Sequence, residues 1–368
     1  MRFKIPNYNG EYKVVSLSLD EKTKQELLKE NVEFIQVLPH HVEGYPGEWL
    51  LSRDDSIVNK FRECNNFDVF EIYEDGMTYR CYDDSIIENT FFITEKCNSN
   101  CIMCPSPNSS RKRGNIVKID DLINIASHVP SDVSHITITG GEPFMAGKDL
   151  FRLLEYCRRK FEHTEFQILT NGRIFAVNEY CELLLNTIPN HTMLGIPLHG
   201  SCQEVHDRIT QTHNSFRQTI TGLKRIQKMG VQNEIRIVVC RENANDISKI
   251  AKLIAAELSR VNYVSIMAME MTGSAYINAN KVWISYRESF AYVRPAIDIL
   301  LRNGIDVRLY NFPLCTVDRD YRMLCARSIS SWKIRYSNVC EKCTVKESCG
   351  GVFAGTFRLE SEELETIL

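Results

Sequence analysis

TFFITEKCNSNCIMC, residues Thr90 to Cys104, runs from an apolar strand pattern straight into three cysteines. Cys97, Cys101 and Cys104 are separated by one gap of three residues and one of two. Thiolates bind soft metals and iron–sulfur clusters. A structural zinc site closes with four protein ligands. Three cysteines with no fourth cysteine or histidine beside them leave one coordination position open. A cubane cluster with three protein-held irons and one free iron fits that number, and the free iron is then available to a substrate or cofactor.

Around this loop the chain has the composition of a globular protein. It has 368 residues, 43% of them hydrophobic and 25% charged, ample for a large core. The net charge is −3. The longest basic cluster, Arg111-Lys112-Arg113, is too short for a nucleic-acid tract and reads as a solvated loop. MRFKIPNYNG lacks the apolar stretch of a secretory signal, and no apolar run approaches the ~18 residues that cross a bilayer. These features predict a cytoplasmic protein with neither a nucleic-acid nor a membrane partner. In a reducing compartment, 14 cysteines point to metal or redox chemistry. Besides the first trio, a second group gathers Cys315, Cys325, Cys340, Cys343 and Cys349. The scattered remainder reads as small core hydrophobes.

Periodicity divides the chain into three. Residues 1–86 read as a small α+β unit packed on the rest, with EKTKQELLKE as a helix and a hairpin across Glu74-Asp75-Gly76. Residues 87–284 alternate six apolar strands (TFFITEK, HITITG, EFQILTNG, MLGIPLHG, EIRIVVC, YVSIMAM) with five helical patterns. The near-continuous apolar strands predict a parallel sheet covered by helices, with its working residues in the loops after the strand ends. Residues 285–368 begin with a helix ending near Gly304 and the strand IDVRLYNF, then turn short, irregular and cysteine-rich.

Strand ends supply the remaining candidates. Gly140-Gly141-Glu142-Pro143 closes the second strand. Glycines there let the backbone approach a ligand, Glu142 suits an ammonium group, and Pro143 stiffens the turn. Leu169-Thr170-Asn171-Gly172 closes the third. Pro197-Leu198-His199-Gly200 closes the fourth, where His199 serves either as a hydrogen-bonding group for ribose or substrate or as a strand cap. Arg236 lies in the fifth strand and Arg241 just after it. Either suits a carboxylate through a bidentate contact or a surface ion pair.

Cys-x3-Cys-x2-Cys after the first strand, followed one strand later by Gly-Gly-Glu-Pro, resembles the radical S-adenosylmethionine (SAM) superfamily. That resemblance implies a partial (β/α)6 barrel. It also implies a [4Fe-4S] cluster on Cys97, Cys101 and Cys104, SAM with its amino group on Gly140–Pro143, and reductive cleavage of SAM to a 5′-deoxyadenosyl radical by an electron from a flavodoxin- or ferredoxin-type donor. Thr170 and Asn171 are similar to the family's Thr-Asn-Gly turn beside the cofactor, and Glu204-Val205-His206-Asp207 to its Glu-x-His-Asp. Three positions depart from the pattern: Met103 replaces an aromatic residue, and Pro197 and His199 replace a Ser and an Asp. Cys340-x2-Cys343-x5-Cys349 resembles the C-terminal auxiliary-cluster domains (SPASM and twitch) of peptide maturases. It implies one auxiliary cluster on Cys315, Cys340, Cys343 and Cys349, with Cys325 spare or an alternative ligand. A Cys-x2-Cys site is also compatible with structural zinc on a non-catalytic scaffold. Met269–Gly273, Tyr310–Cys315 and Ser328–Lys333 together resemble the C-type maturase of the His-Xaa-Ser peptide system. That implies a ribosomally made peptide substrate and a second radical SAM protein as partner. The alternative substrates are a small metabolite or another protein's side chain.

Overall fold

The computed structural model describes residues 1–47, 49–360 and 362–368. Within the first 86 residues, strands β1 (Arg2–Lys4), β2 (Lys13–Ser18), β3 (Phe34–Val37), β4 (Val42–Tyr45), β5 (Trp49–Ser52), β6 (Val69–Ile72) and β7 (Met77–Tyr82) form one mixed sheet. Its order is β1-β7-β6-β2-β3-β4-β5. β6 and β7 are the expected hairpin. Helix α1 (Glu21–Glu30) is the expected EKTKQELLKE helix: the Asp20 side chain accepts from the Thr23 N–H at 2.8 Å, and Asn31 supplies a left-handed C-cap. Helix α2 (Asp55–Arg62), which the sequence reading did not anticipate, starts where the Asp54 carboxylate accepts from the Ser56 N–H. It covers one face of the sheet, and Phe61 meets Phe3 and Phe70 edge-on in a separate core. The other face rests on the rest of the chain: Val14, Val69 and Tyr82 enter the main core, and the Ser16 hydroxyl donates to the His128 carbonyl at 3.2 Å.

From β8 (Asn89–Phe92) onward, strands and helices alternate. They are α3 (Asn108–Arg113), α4 (Ile119–His128), β9 (His135–Thr139), α5 (Asp149–Lys160), β10 (Glu165–Leu169), α6 (Asn178–Thr187), β11 (His191–Pro197), α7 (Gln203–Thr210), α8 (Ser215–Lys228), β12 (Asn233–Val238), α9 (Ile247–Glu257) and β13 (Tyr263–Met267). After them come α10 (Gly273–Ile277), α11 (Ala279–Val282), α12 (Tyr286–Arg302), β14 (Asp306–Tyr310) and β15 (Cys325–Ala326). The sheet is ordered β15-β14-β13-β12-β11-β10-β9-β8 with every pairing parallel. The six expected strands are therefore joined by two more, and the sheet runs on past residue 284. Helix α12 makes that crossover despite Pro295 in its interior. Such a proline costs about 3 kcal/mol or more. The buried stripe of Tyr286, Phe290, Val293, Ile297 and Leu300 offsets it, at roughly 1.5–3 kcal/mol per large apolar side chain.

The strands differ from the expected apolar runs. Ile136, Ile138, Phe166 and Ile168 are buried in the helix-covered core. Thr137, Gln167 and Leu169, pointing the opposite way, line an open cavity of about 1100 Å³ together with Ser328, Ser331 and Trp332. The sheet is polar on its inner face because that face is not packed, and the C-terminal segment stands across it. Beyond β15 the described chain holds two-residue strands, β16 (Ile334–Arg335) and β17 (Val352–Phe353), short turns and the one-turn helix α13 (Phe357–Glu360). No helix among the described residues is long and apolar enough to cross a membrane.

Candidate functional site

The loop after β8 is bound along its length by backbone hydrogen bonds. The Cys97 N–H donates to the Arg111 carbonyl at 3.1 Å, the Asn100 N–H to Thr210 at 2.9 Å and the Ile102 N–H to Ile209 at 2.9 Å. In the other direction, Asn278 Nδ2 donates to the Ile102 carbonyl at 2.9 Å and the Ser274 N–H to the Cys104 carbonyl at 2.9 Å. Helices α3, α7 and α10 therefore fix the three thiols at the carboxyl end of the sheet. Met103, where the family pattern has an aromatic residue, packs with Ile209, Met269 and Met271 in a small apolar cluster.

Two arginines brace this loop, and the sequence reading missed both. Arg111 is 3% exposed, which corrects its assignment to a solvated loop. Its guanidinium donates to the Cys101 carbonyl at 3.3 Å and to the Ser274 hydroxyl at 2.7 Å. Arg173 donates to the Asn98 carbonyl at 2.8 Å and the Ser99 hydroxyl at 3.0 Å. Burial pushes the Cys97 thiol above its usual range, and the Cys101 thiol to about 12, where the neighbouring thiols add repulsion. Such sulfurs ionise when a cation takes up their charge, so this donor set, with two arginines close by, fits an iron–sulfur group.

The Gly-Gly-Glu-Pro turn has a structural task that the sequence did not show. A Cβ on Gly140 would overlap the Thr94 carbonyl, and one on Gly141 the Glu95 and Lys96 carbonyls. The glycines admit the cysteine loop's own backbone. Glu142, expected to face an ammonium group, is 2% exposed. Its carboxylate accepts from the Thr170 hydroxyl at 2.8 Å, the Asn171 N–H at 2.6 Å and the Phe144 N–H at 3.1 Å. Burial is the main influence on its pKa, which is raised. Three of about four acceptor positions are spent inside the protein, so Glu142 is first a strut between the second and third strand ends. Pro143 begins the short 3-10 turn after it. Asn171 continues the strut, with Nδ2 donating to Asn98 Oδ1 at 2.6 Å.

At the fourth strand end, His199 is buried and its Nδ1 has no partner. Its ring stacks on His206, with centroids 5.9 Å apart. Burial, with His206 adding to it, lowers its pKa to about 3, and burial lowers that of His206 to about 4. His206 Nδ1 accepts from the His199 N–H at 3.1 Å. Asp207 accepts from Ser215 Oγ at 2.7 Å and the Phe216 N–H at 2.8 Å. Glu-x-His-Asp therefore staples the β11 turn to α8.

Arg236 takes the ion-pair alternative, with a buried partner. Its Nη1 donates to both Glu234 oxygens at 3.0 Å, so this guanidinium is committed to a buried carboxylate. Gln167 Nε2 reaches the same carboxylate at 3.0 Å from β10, crossing β11 over Gly195, where a side chain would strike Leu169. Arg241 donates to the Trp283 carbonyl at 2.9 Å.

Cys315, Cys340, Cys343 and Cys349 line one cavity of about 360 Å³, and Cys325 does not. The Leu314 and Gly351 N–H groups both donate to Cys349 Sγ at 3.4 Å. Burial, with Cys349 adding to it, raises the Cys315 and Cys340 thiols. Among the described residues no three His, Cys, Asp or Glu side chains close on a point that a single metal ion would fill. The four thiols stand around a space, and the softness and number of the donors fit an iron–sulfur group.

Residues 269–274 join the two cysteine sets. At one end Ser274 holds the Cys104 carbonyl. Further back, the buried Thr356 hydroxyl accepts from the Met271 N–H at 3.1 Å and donates to the Met269 carbonyl at 3.3 Å. Thr356 lies three residues beyond β17, which follows Cys349 after two glycines.

Comparison with known proteins bears on this arrangement. Residues 91–254 match the profile of the Radical SAM superfamily. The chain is 27% identical over 237 residues to the Fe-coproporphyrin III synthase of Methanosarcina barkeri, covering 61% of this chain and 54% of that protein. It is 30% identical over 164 residues to AlbA, the antilisterial bacteriocin subtilosin biosynthesis protein of Bacillus subtilis, covering 44% and 35%. Among solved structures it is similar to Streptococcus suis SuiB bound to its precursor peptide SuiA, with 15% identity, a TM-score of 0.49, and 61% and 48% of the two chains covered. The chain spans about half the length of the curated relatives it matches. The superfamily uses a [4Fe-4S] cluster and SAM. With its three-cysteine loop at the carboxyl end of a parallel sheet, the segment 91–254 is similar to the Radical SAM superfamily in both sequence profile and architecture.

Proposed function

We propose that the protein is a radical SAM enzyme that modifies a ribosomally made peptide. Cys97, Cys101 and Cys104 hold the cluster, with Arg111 and Arg173 fixing the loop that presents it. Cys315, Cys340, Cys343 and Cys349 hold one auxiliary cluster. When bound, the first cluster and SAM supply a 5′-deoxyadenosyl radical that takes hydrogen from an unactivated carbon. The chain's part is to orient and to exclude water. Gly140–Pro143, Thr170, Asn171 and His199 form the rim on which SAM rests, and neutral His199 offers its unpaired nitrogen without adding charge.

One observation carries the peptide reading. The inner-face cavity offers about 1100 Å³ to a ligand, at the top of the roughly 300–1,000 Å³ range of ordinary small-molecule sites, and opens beside Trp332, Ser328, Ser330 and Ser331. That room suits a segment of polypeptide. Similarity to a bacteriocin biosynthesis protein supports the same reading. The substrate is assigned to the His-Xaa-Ser type, handled with a second radical SAM protein.

Anaerobic reconstitution tests this. We expect about eight irons per chain, as two cubane clusters give, release of 5′-deoxyadenosine on reduction, and a mass change in a His-Xaa-Ser peptide. Deoxyadenosine release with no change in any peptide, but with turnover of a small metabolite, would replace the peptide reading.

A further inference from the structure

Strand register sorts the inner face of the sheet into rows. Leu169, which lines the inner-face cavity, pairs with Gly195, Gly195 with Glu234 and Glu234 with Tyr263. Paired residues share a face, as do residues two apart on a strand. Arg236, Ser265 and Arg308, which pair in turn two residues further on, therefore also face inward. The row sets a guanidinium on either side of a serine. Arg236 holds the Glu234 carboxylate through Nη1 at 3.0 Å, while its Nη2 has Met267 Sδ at 3.5 Å, a weak acceptor. Arg308 is exposed, and its guanidinium lies 3.9 Å over the ring of Tyr263. It has no carboxylate partner among the described residues, Asp306 at the start of β14 included. Ser265 is fully buried, and its hydroxyl has no hydrogen-bond partner among the described residues. A buried hydroxyl left unpaired is costly. Here it stands in register between two cations that share one carboxylate.

We propose that Arg236, Ser265 and Arg308 form a binding site for a carboxylate of the peptide substrate, either an acidic side chain or the C-terminus. The proposal rests on the peptide reading above and adds to it a residue that selects the substrate, Arg308. Position separates this site from the SAM rim. Gly140, Thr170 and His199 lie just beyond the carboxyl ends of β9, β10 and β11. The row lies two residues short of the ends of β12, β13 and β14, about 7 Å deeper at the usual rise of a strand. β14 is also five places along the sheet from β9. Gln167 joins the row to the cavity, since it lines that space and donates to Glu234 at 3.0 Å. A carboxylate between the guanidiniums accepts from Arg236 Nη2, from Arg308 and from the Ser265 hydroxyl. One contact then neutralises the spare cation and pairs the buried hydroxyl. A carboxamide of the same shape brings no charge and one acceptor oxygen in place of two, so the site discriminates between them.

The test uses cluster-loaded protein with SAM and four fluorescently labelled His-Xaa-Ser peptides, with glutamate or glutamine at Xaa and each ending in a free carboxylate or an amide. Binding is read by anisotropy. The wild type prefers glutamate over glutamine, or the free acid over the amide, by about tenfold, and the arm that shows the preference names the carboxylate. R308Q loses that preference. R308K keeps part of it, because a point charge replaces a bidentate fork, and R308E comes to favour a peptide with lysine at Xaa. S265A weakens binding of the preferred peptide by a smaller factor than R308Q. Equal binding of all four peptides by the wild type overturns the proposal, as does an R308Q variant that keeps the wild-type preference. Loss of SAM affinity in R308Q with the peptide preference intact also overturns it, since the anion would then belong to the cofactor. Failure of every peptide to bind overturns the peptide reading itself, and the proposal falls with it.

Discussion

The two cysteine sets are held by different means. Cys97, Cys101 and Cys104 fall within eight residues. Their loop leaves one strand and is tied by backbone hydrogen bonds to α3, α7 and α10. Its geometry is fixed before any metal arrives, because the parallel sheet and Arg111 already determine where the carbonyls point. Cys315, Cys340, Cys343 and Cys349 come from a longer span carrying two-residue strands and short turns. Bringing them together costs loop-closure entropy with little regular structure to offset it, so a bound group there acts as a cross-link as well as a cofactor. The difference teaches that the first site is preorganised by the fold, whereas the second helps to make the fold around it.

The largest expected effects test that contrast directly. Replacing Cys97, Cys101 and Cys104 by alanine should abolish SAM cleavage, remove about half of the iron and leave the thermal transition nearly unchanged. Replacing Cys340 and Cys343 should do the reverse to the fold: the transition falls and protease cuts within residues 315–349, while reductive SAM cleavage persists. If the first substitution destabilised the chain as much as the second, the contrast would fail. Arg111→Met comes next. It removes two hydrogen bonds from a buried cation, each of the order of 1.5–3 kcal/mol for a charged donor. We expect slower reconstitution and faster loss of iron from the first site, measured by chelator challenge, with the second site unaffected.

How much was legible in the sequence follows the same division. The first cysteine loop was legible because its spacing is local and the strand before it is strongly patterned. The Gly-Gly-Glu-Pro and Thr-Asn-Gly turns were legible as positions but not as roles. Nothing in sequence shows that the Glu142 carboxylate accepts from Thr170 and Asn171, or that Gly140 and Gly141 make room for the backbone of Thr94–Lys96. Arg111 was misread because a run of three cations looks solvated, and only the fold shows the first of them turning inward. For Arg236 an ion pair was among the readings but its partner was not: Glu234 lies two residues away on the same face of a strand, a period-2 pair that the apolar reading of the strand concealed. β14 was seen as a strand, but its membership of the main sheet depends on the crossover by α12, which no local pattern specifies.

Thr356 tests whether the two sites are mechanically joined. Its hydroxyl serves the Met271 N–H and the Met269 carbonyl. Thr356→Val keeps the shape and leaves a buried N–H unpaired, at about 1–3 kcal/mol, and in a chain of this size each kcal/mol moves Tm by roughly 1–2 °C. Thr356→Ser should restore most of it. Loss of stability in the valine variant alone, with faster alkylation of both Cys104 and Cys349 in metal-free protein, would establish the link. Faster alkylation of Cys349 only would break it.

A smaller effect is expected from pH. His199 and His206 titrate in the folded chain at about 3 and 4, below the ordinary 6.5. As pH falls below 6.5 the unfolded chain takes up protons that the folded chain refuses, so stability is complete above that range and declines toward pH 4. In His206→Gln, denaturation measured from pH 7.5 to 5 should show a shallower slope than wild type. An equal slope would place the acid sensitivity elsewhere.

The smallest effect is expected at Cys325, and it sharpens the account of the second site most. This thiol sits on β15, paired in register with Leu309. Burial, with Cys349 adding to it, pushes its pKa to about 12. It has the proximity to Cys349 that a fifth ligand would need, yet it does not line the cavity shared by the other four. A strand backbone hydrogen-bonded to β14 cannot turn its side chain over without breaking the ladder. Cys325→Ser should therefore leave the iron content and the absorption spectrum of the second site as they are, whereas Cys315→Ser should lose that cluster. If the two serine variants lost iron equally, the cavity would have to be redrawn around β15, and the second site would be held by the sheet in the same way as the first.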